Sequence, residues 1–174
     1  MRTFLAAFTL GSSLRFAVCC ATLSLAAAGC QQSATNPVSI LQELDPQLIV
    51  ERGQLRFVSD AATGCALARQ RGLPCLLFFT AEWCTFCHQM EETAFTDATI
   101  GKMAKQFVCV LVDADREAEL CGKYNINGFP TLQFLAADGR KLHRLVGRQS
   151  TPQLTAGMQA ALSRLAWLDH TERR

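Results

Sequence analysis

The chain has 174 residues, 49% of them hydrophobic and 8% aromatic, which suffices to bury the core of one domain and excludes disorder throughout. Seventeen basic residues against 15 acidic ones give a net charge of +2 with no block of five like charges, so the sequence carries no electrostatic footprint for nucleic acid. Nine cysteines is a high count for this length. Cys19, Cys20 and Cys30 fall near the N-terminus, whereas Cys65, Cys75, Cys84, Cys87, Cys109 and Cys121 are spread through a core pattern unlike the dense staples of a small disulfide-built domain.

Residues 1–29 carry Arg2 and Arg15, no acid, and an apolar block over 16–28, the pattern of an export signal. That block falls short of the about 20 apolar residues a membrane span needs. Its end, Leu25-Ala26-Ala27-Ala28-Gly29-Cys30, resembles the lipobox of bacterial lipoproteins, which implies lipidation of Cys30 as the new N-terminus. The match departs from the usual pattern in having Ala27, not Leu, three positions before the cysteine, and an ordinary secretory signal cut nearby stays open. Gln31 in place of an acid after the cysteine implies sorting to the outer membrane. The short polar stretch 31–39, with Pro37, suits a tether. The expected organisation is a signal over 1–29, a lipid-anchored tether and lead-in over 30–52, and a folded domain over 53–170.

Within that domain, 55–58 reads as a short strand and 59–70 as a helix capped by Ser59 or Asp60 and ended by Gly72 and Pro74. The continuous apolar run 75–80 suits a central strand covered on both faces. Cys84 opens a helix that runs into the early nineties, breaks over 93–99 and resumes to about Lys105. The next strand is 107–112, followed by a short helix over 117–124. Strands 131–135 and 141–146 flank Asp138-Gly139, a type I′ hairpin signal. A final helix is capped by Thr151, takes Pro152 at its first position and presents Leu154, Met158, Ala161, Leu162 and Leu165 on one face. The class is α/β, a central mixed sheet with helices on both faces. Cys75 and Cys109 sit in apolar strands and read as small buried hydrophobes. Cys65 and Cys121 lie on helices, and no spacing argues for a bond between them.

Two cysteines separated by two residues at a helix start, in Trp83-Cys84-Thr85-Phe86-Cys87-His88, can close a disulfide, while the free N–H groups and dipole of the helix stabilise the first thiolate. With Gly128-Phe129-Pro130-Thr131 ahead of a hairpin and an amphipathic closing helix, the chain resembles thioredoxin over about residues 55–168. Ala81 to Cys84, the Met90-Glu91 pair and Thr93-Ala94-Phe95 are most similar to the bacterial periplasmic branch. That branch includes the C-terminal domain of the thiol:disulfide interchange protein that relays electrons across the inner membrane. The resemblance implies a thioredoxin-like fold, Cys84 as exposed nucleophile and Cys87 as buried resolving thiol. It also implies a cis-proline at Pro130 that leaves the Phe129 backbone free to pair with substrate, and Trp83 as the aromatic that shelters the site.

Two departures bear on mechanism. Thioredoxins place a buried Asp six residues before the first cysteine, where this chain has Phe78. Glu91 matches a Glu of the electron-relay branch and shares a helix face with the cysteines, so it is a candidate for tuning thiol pKa. His88, four residues after Cys84, is another. Thr85-Phe86 is neither the Gly-Pro of thioredoxin nor the Pro-His of the strong periplasmic oxidase, and leaves the direction of electron flow open.

The resemblance thus implies an exported thiol–disulfide oxidoreductase on the periplasmic side that reduces or isomerises protein disulfides. Protein thiols and disulfides are its expected partners, a membrane electron relay its donor, a lipid its anchor and a monomer its state, with neither organic cofactor nor metal. Two readings from other classes stay open: a c-type haem protein using Cys84, Cys87 and His88 as CxxCH, and a thioredoxin-fold binding protein with an inert disulfide.

Overall fold

A computed structural model of the chain describes residues 44–174. The expected signal over 1–29, Cys30 and the tether over 31–39 lie outside the described residues. After a 3-10 turn at Pro46–Leu48, the elements are β1 (Ile49–Arg52), β2 (Leu55–Val58), α1 (Ala61–Arg71), β3 (Cys75–Thr80), α2 (Thr85–Glu92), α3 (Ala98–Ala104), β4 (Val108–Asp113), α4 (Ala118–Tyr124), β5 (Thr131–Leu135), β6 (Lys141–Val146) and α5 (Thr151–Glu172). One six-stranded sheet has the order β1-β2-β4-β3-β5-β6. Strands β2, β4 and β3 pair in parallel, while β1, β5 and β6 pair antiparallel to their neighbours, so the sheet is mixed as expected.

All six residues of β3 are buried, because both faces of the sheet are covered. Leu76 and Phe78 point into one core with Met90, Phe95, Ile100, Leu154 and Met158, contributed by α2, α3, α5 and the link between α2 and α3. Cys75, Leu77 and Phe79 point into the other, with Ala61, Leu67 and Ala68 of α1. A strand's side chains alternate between faces, so an unbroken apolar run is what a doubly covered strand requires.

Three local features differ from the sequence reading. The stretch taken as lead-in carries β1, which pairs with β2 from Ile49 opposite Val58 to Arg52 opposite Leu55; the run is only four residues and ends at a turn whose Gly53 has φ of 58°. The hairpin at Asp138-Gly139 is not type I′, since Gly139 has a positive φ and Asp138 does not. Gly139 N–H donates to Ala136 and Ala136 N–H to the Arg140 carbonyl. This is the longer loop with a glycine bulge that also fits an Asp-Gly pair. The closing helix is capped by Ser150, not Thr151: Ser150 and Gln153 form a reciprocal capping box, and Pro152 sits in the first turn. Elsewhere the caps follow the sequence, with Asp60 accepting from Thr63 N–H and Gly72 closing α1 at φ of 65°.

Candidate active site

Strand β3 ends at Thr80 and the chain turns into α2 with Cys84 as its N-cap. Ala81 O accepts from Cys84 N–H at 3.0 Å, and Cys84 O accepts from Cys87 N–H at 3.0 Å and His88 N–H at 3.2 Å. These bonds fix both cysteines in the first turn, their Cα atoms 5.3 Å apart and their sulfurs joined in a disulfide. The Cys87 N–H also points at Cys84 Sγ, 3.2 Å away. When the bond is reduced, that donor and the helix N-terminus favour a thiolate at Cys84. Cys84 is 5% exposed and Cys87 is fully buried.

The Phe129–Pro130 peptide is cis and Pro130 is buried. Its loop is held by Thr131 Oγ1, which donates to Gly128 O at 2.7 Å, and by Gly147 N–H, which donates to Pro130 O at 2.8 Å. Trp83 packs edge-on against Phe129, ring centroids 5.7 Å apart, and its indole N–H donates to Asp115 at 3.1 Å. Trp83 is nonetheless 66% exposed and Phe86 59% exposed. Flanking the cysteines in sequence, the two form an exposed apolar rim beside the disulfide.

Glu91 and His88 sit three residues apart on one face of α2. Glu91 exposes only 12% of its side chain and is held by Arg52 of β1, Nε to Oε2 3.1 Å, with His88 Nδ1 3.9 Å from the same oxygen. Burial raises the Glu91 carboxyl above the ordinary glutamate range, and Arg52 and then His88 oppose it. His88 Nε2 lies 2.8 Å from Glu82 O, so that nitrogen carries the proton of a neutral ring. The histidine is therefore turned toward Glu82 and Glu91. A cavity of about 300 Å³ lies beside these groups, lined by Arg52, Thr80, Glu91 and Asp113.

Phe78 stands at the base of the site, with Phe95 edge-on at 5.0 Å and Phe57 at 5.8 Å. The position that would hold a buried acid is filled by an aromatic cluster, where a carboxyl would be costly to ionise. Sequence reasoning missed Arg52, and it also missed Arg144. Arg144 Nε donates to the buried Gln133 side chain at 2.8 Å, while its terminal nitrogens reach the carbonyls of Tyr124 and Asn125. It ties the hairpin to the end of α4, from which the cis-proline loop departs. A basic residue within an exposed-looking strand gives no sequence signal of this kind.

A dithiol pair at a helix start, beneath a cis-proline loop and on a doubly covered mixed sheet, defines a thiol–disulfide oxidoreductase of the thioredoxin type. A family model described as a thioredoxin-like domain matches residues 63–162, and the chain belongs to that family. Among curated relatives, the thiol:disulfide interchange protein DsbD of Vibrio vulnificus is 31% identical over 147 residues, 82% of this chain and 21% of the relative. DsbD of Ralstonia nicotianae is 28% identical over 114 residues, 63% of this chain and 19% of the relative. The chain thus spans about a fifth of the length of these relatives. Among solved structures, a thioredoxin from Thermus thermophilus aligns with a TM-score of 0.54 at 24% identity, covering 58% of this chain and 82% of that one. The DsbH oxidoreductase aligns at 0.51 and 24%, covering 70% and 92%. These likenesses establish the fold, and no helix among the described residues is long and apolar enough to cross a membrane.

Proposed function

We propose that the chain reduces or isomerises disulfides of proteins outside the cytoplasm, with Cys84 as nucleophile and Cys87 as resolving thiol. The observation that carries this reading is the capped disulfide beside an exposed apolar rim: Cys84 Sγ faces a backbone N–H, while Trp83 and Phe86 offer a surface to an unfolded or extended chain. The Cys84 thiolate attacks one sulfur of a target disulfide, a mixed disulfide forms, and the target's other sulfur leaves as a thiolate that takes up a proton. Cys87 then loses its proton and attacks Cys84 Sγ, closing the intramolecular bond and releasing the reduced target. The net change is two protein thiols oxidised and one target disulfide reduced.

Each turnover leaves the pair oxidised, so reduction requires a donor. The similarity to DsbD, named as a thiol:disulfide interchange protein, supports a membrane electron relay in that role. The lipobox-like end of the N-terminal stretch supports anchoring through Cys30 to the outer membrane, with the domain held on the periplasmic side as a monomer. Trp83, Phe129 and Pro130 shape the surface a target meets, and Glu91 with His88 tunes the thiols.

The test is the reduction potential of the Cys84–Cys87 pair in the full chain, by equilibration with glutathione and mass spectrometry of trapped thiols at those two positions. A value near about −270 mV supports a reductase fed by a relay, whereas one near about −120 mV makes the pair an oxidant and overturns the direction. A pair that does not titrate overturns the enzyme reading in favour of an inert structural disulfide.

A further inference from the structure

On the opposite face of the sheet from Cys84, α1 packs against the start of β3 and brings Cys65 beside Cys75. Both are free thiols, Cys75 buried and Cys65 partly accessible, and both line the same cavity. They open onto a cavity of about 620 Å³, also lined by Arg69, Lys123, Glu117 and Tyr124. That volume lies in the range of small-molecule sites, and it contrasts with the open aromatic rim at Cys84. Three separate features therefore converge: two thiols on one cavity, access from it to Cys65, and two cations beside it.

We propose that Cys65 and Cys75 form a second thiol exchange pair, whose substrates are small disulfides that carry carboxylates. Cys65 attacks one sulfur of such a disulfide, forming a protein–small-molecule disulfide and expelling the other half as a thiolate that takes up a proton. Cys75 then gives up its proton and attacks Cys65 Sγ, forming the Cys65–Cys75 bond and releasing the second half as a thiol. Two protein thiols are oxidised and one small disulfide is reduced to two thiols.

The division of labour follows from the surroundings. The Cys65 thiol is lowered to about 7, first by its hydrogen bond with Cys75 and then by Arg69 and Lys123, against burial and Glu117. Cys75 is pushed up by the same hydrogen bond and by burial, so it stays protonated until Cys65 has been consumed. Cys121 of α4 packs against the same core but is raised, by burial and by Glu117 and Asp113, and serves as an internal control. Arg69 and Lys123 supply the charge that selects a carboxylate-bearing substrate over a neutral one. Nothing here depends on Cys84 or Cys87.

The experiment uses the full chain carrying Cys84→Ser and Cys87→Ser, treated at pH 7 with glutathione disulfide or with neutral hydroxyethyl disulfide, then trapped, digested with trypsin and mapped. Cys65, Cys75, Cys109 and Cys121 fall in separate peptides, 57–69, 72–102, 106–116 and 117–123. We expect a link between 57–69 and 72–102, with Cys65 reacting about tenfold faster than Cys121, and glutathione disulfide outpacing the neutral reagent. Cys75→Ser should arrest the reaction as a glutathionyl group on 57–69, and Lys123→Ala, which removes one of the two cations, should slow glutathione disulfide more than the neutral reagent and so narrow the preference between them. The proposal is overturned if Cys65 reacts no faster than Cys121, if its adduct persists with Cys75 intact, or if the two reagents react alike in the parent chain. A failure of the Cys84–Cys87 pair to titrate leaves this result untouched, since the serine variant lacks that pair.

Discussion

Replacing Arg52 with Met isolates the charge that faces Glu91, because Met keeps most of the aliphatic stem. Two unit charges about 4 Å apart attract by about 4 kcal/mol at an effective dielectric constant of about 20. Arg52 exposes 40% of its side chain and Glu91 12%, so solvent screening reduces the contribution of the pair to about 1 kcal/mol. Removing that from the ionised form moves the protonation equilibrium of Glu91 about fivefold toward the acid. Burial already holds this carboxyl above its ordinary value of 4.5, with Arg52 and His88 opposing, so the substitution moves it further up. The folded state then binds more protons than the unfolded one, and stability falls as pH rises from 4.5 through the folded-state value. Arg52→Met deepens that fall by about 1 kcal/mol.

The assay is reduction of a protein disulfide between pH 4.5 and 8.5, with urea unfolding at either end of the range. If Glu91 takes the proton that Cys87 must lose, the acid limb of the rate moves to higher pH in Arg52→Met, about fivefold in proton concentration, and vanishes in Glu91→Gln. A limb that stays in place in Arg52→Met, or survives in Glu91→Gln, refutes the assignment.

Other substitutions test the scaffold. An alanine Cβ at Gly64 would lie 2.4 Å from Val110 Cγ2, so Gly64→Ala should destabilise by about 1–3 kcal/mol, less about 1 kcal/mol of helix propensity, read as a lower urea midpoint. Gly53→Ala combines a φ of 58° with a Cβ 2.5 Å from Phe95 O, and should displace the β1–β2 turn, moving the acid limb in the direction of Arg52→Met while Gly64→Ala leaves it in place. Arg144→Ala strands the buried Gln133 carbonyl oxygen and should cost about 1–3 kcal/mol, with Lys a poor substitute for the guanidinium fork. Trp83→Ala should leave the urea midpoint nearly unchanged but slow turnover of protein disulfides about three- to tenfold, sparing small disulfides, because the indole is exposed and held by an edge-on contact with Phe129 and an exposed hydrogen bond to Asp115.

Those features of the sequence that carry periodicity or a covalent constraint were legible before the fold was known. The apolar run of β3, the Gly72 end of α1, the break after α2 and the cysteine pair at a helix start were placed from residue chemistry, and of the two caps the sequence offered for α1, Ser59 and Asp60, the structure uses Asp60. The cis-proline is different in kind: it entered through resemblance, since residue chemistry alone permits either isomer at an X-Pro bond. What was not legible depends on partners far apart in the chain. Arg52 meets Glu91 only because β1 adds to the sheet edge, and the four residues of β1 offer too little alternation to read. Cys65 and Cys75 looked like a helix cysteine and a core filler, and only the packing of α1 on β3 makes them neighbours.

Phe78, where the thioredoxin resemblance implies a buried acid, and β1 are linked through contacts around α2. Phe78 fills the acid's place and meets Phe95 edge-on, in the 3-10 turn that follows the helix. The Phe95 carbonyl accepts from Gln54 N–H at 2.7 Å and lies so close to Gly53 that no Cβ fits between them. That contact fixes the turn between β1 and β2, and the turn sets Arg52 at the end of β1 against Glu91. A carboxylate at position 78 would have to be desolvated among aromatic rings. One at position 91 sits at the margin, where a guanidinium offsets part of its burial and a cavity adjoins it. A carboxyl at the edge of the site, rather than on its floor, therefore stands one helical turn from Cys87 and can exchange its proton with water.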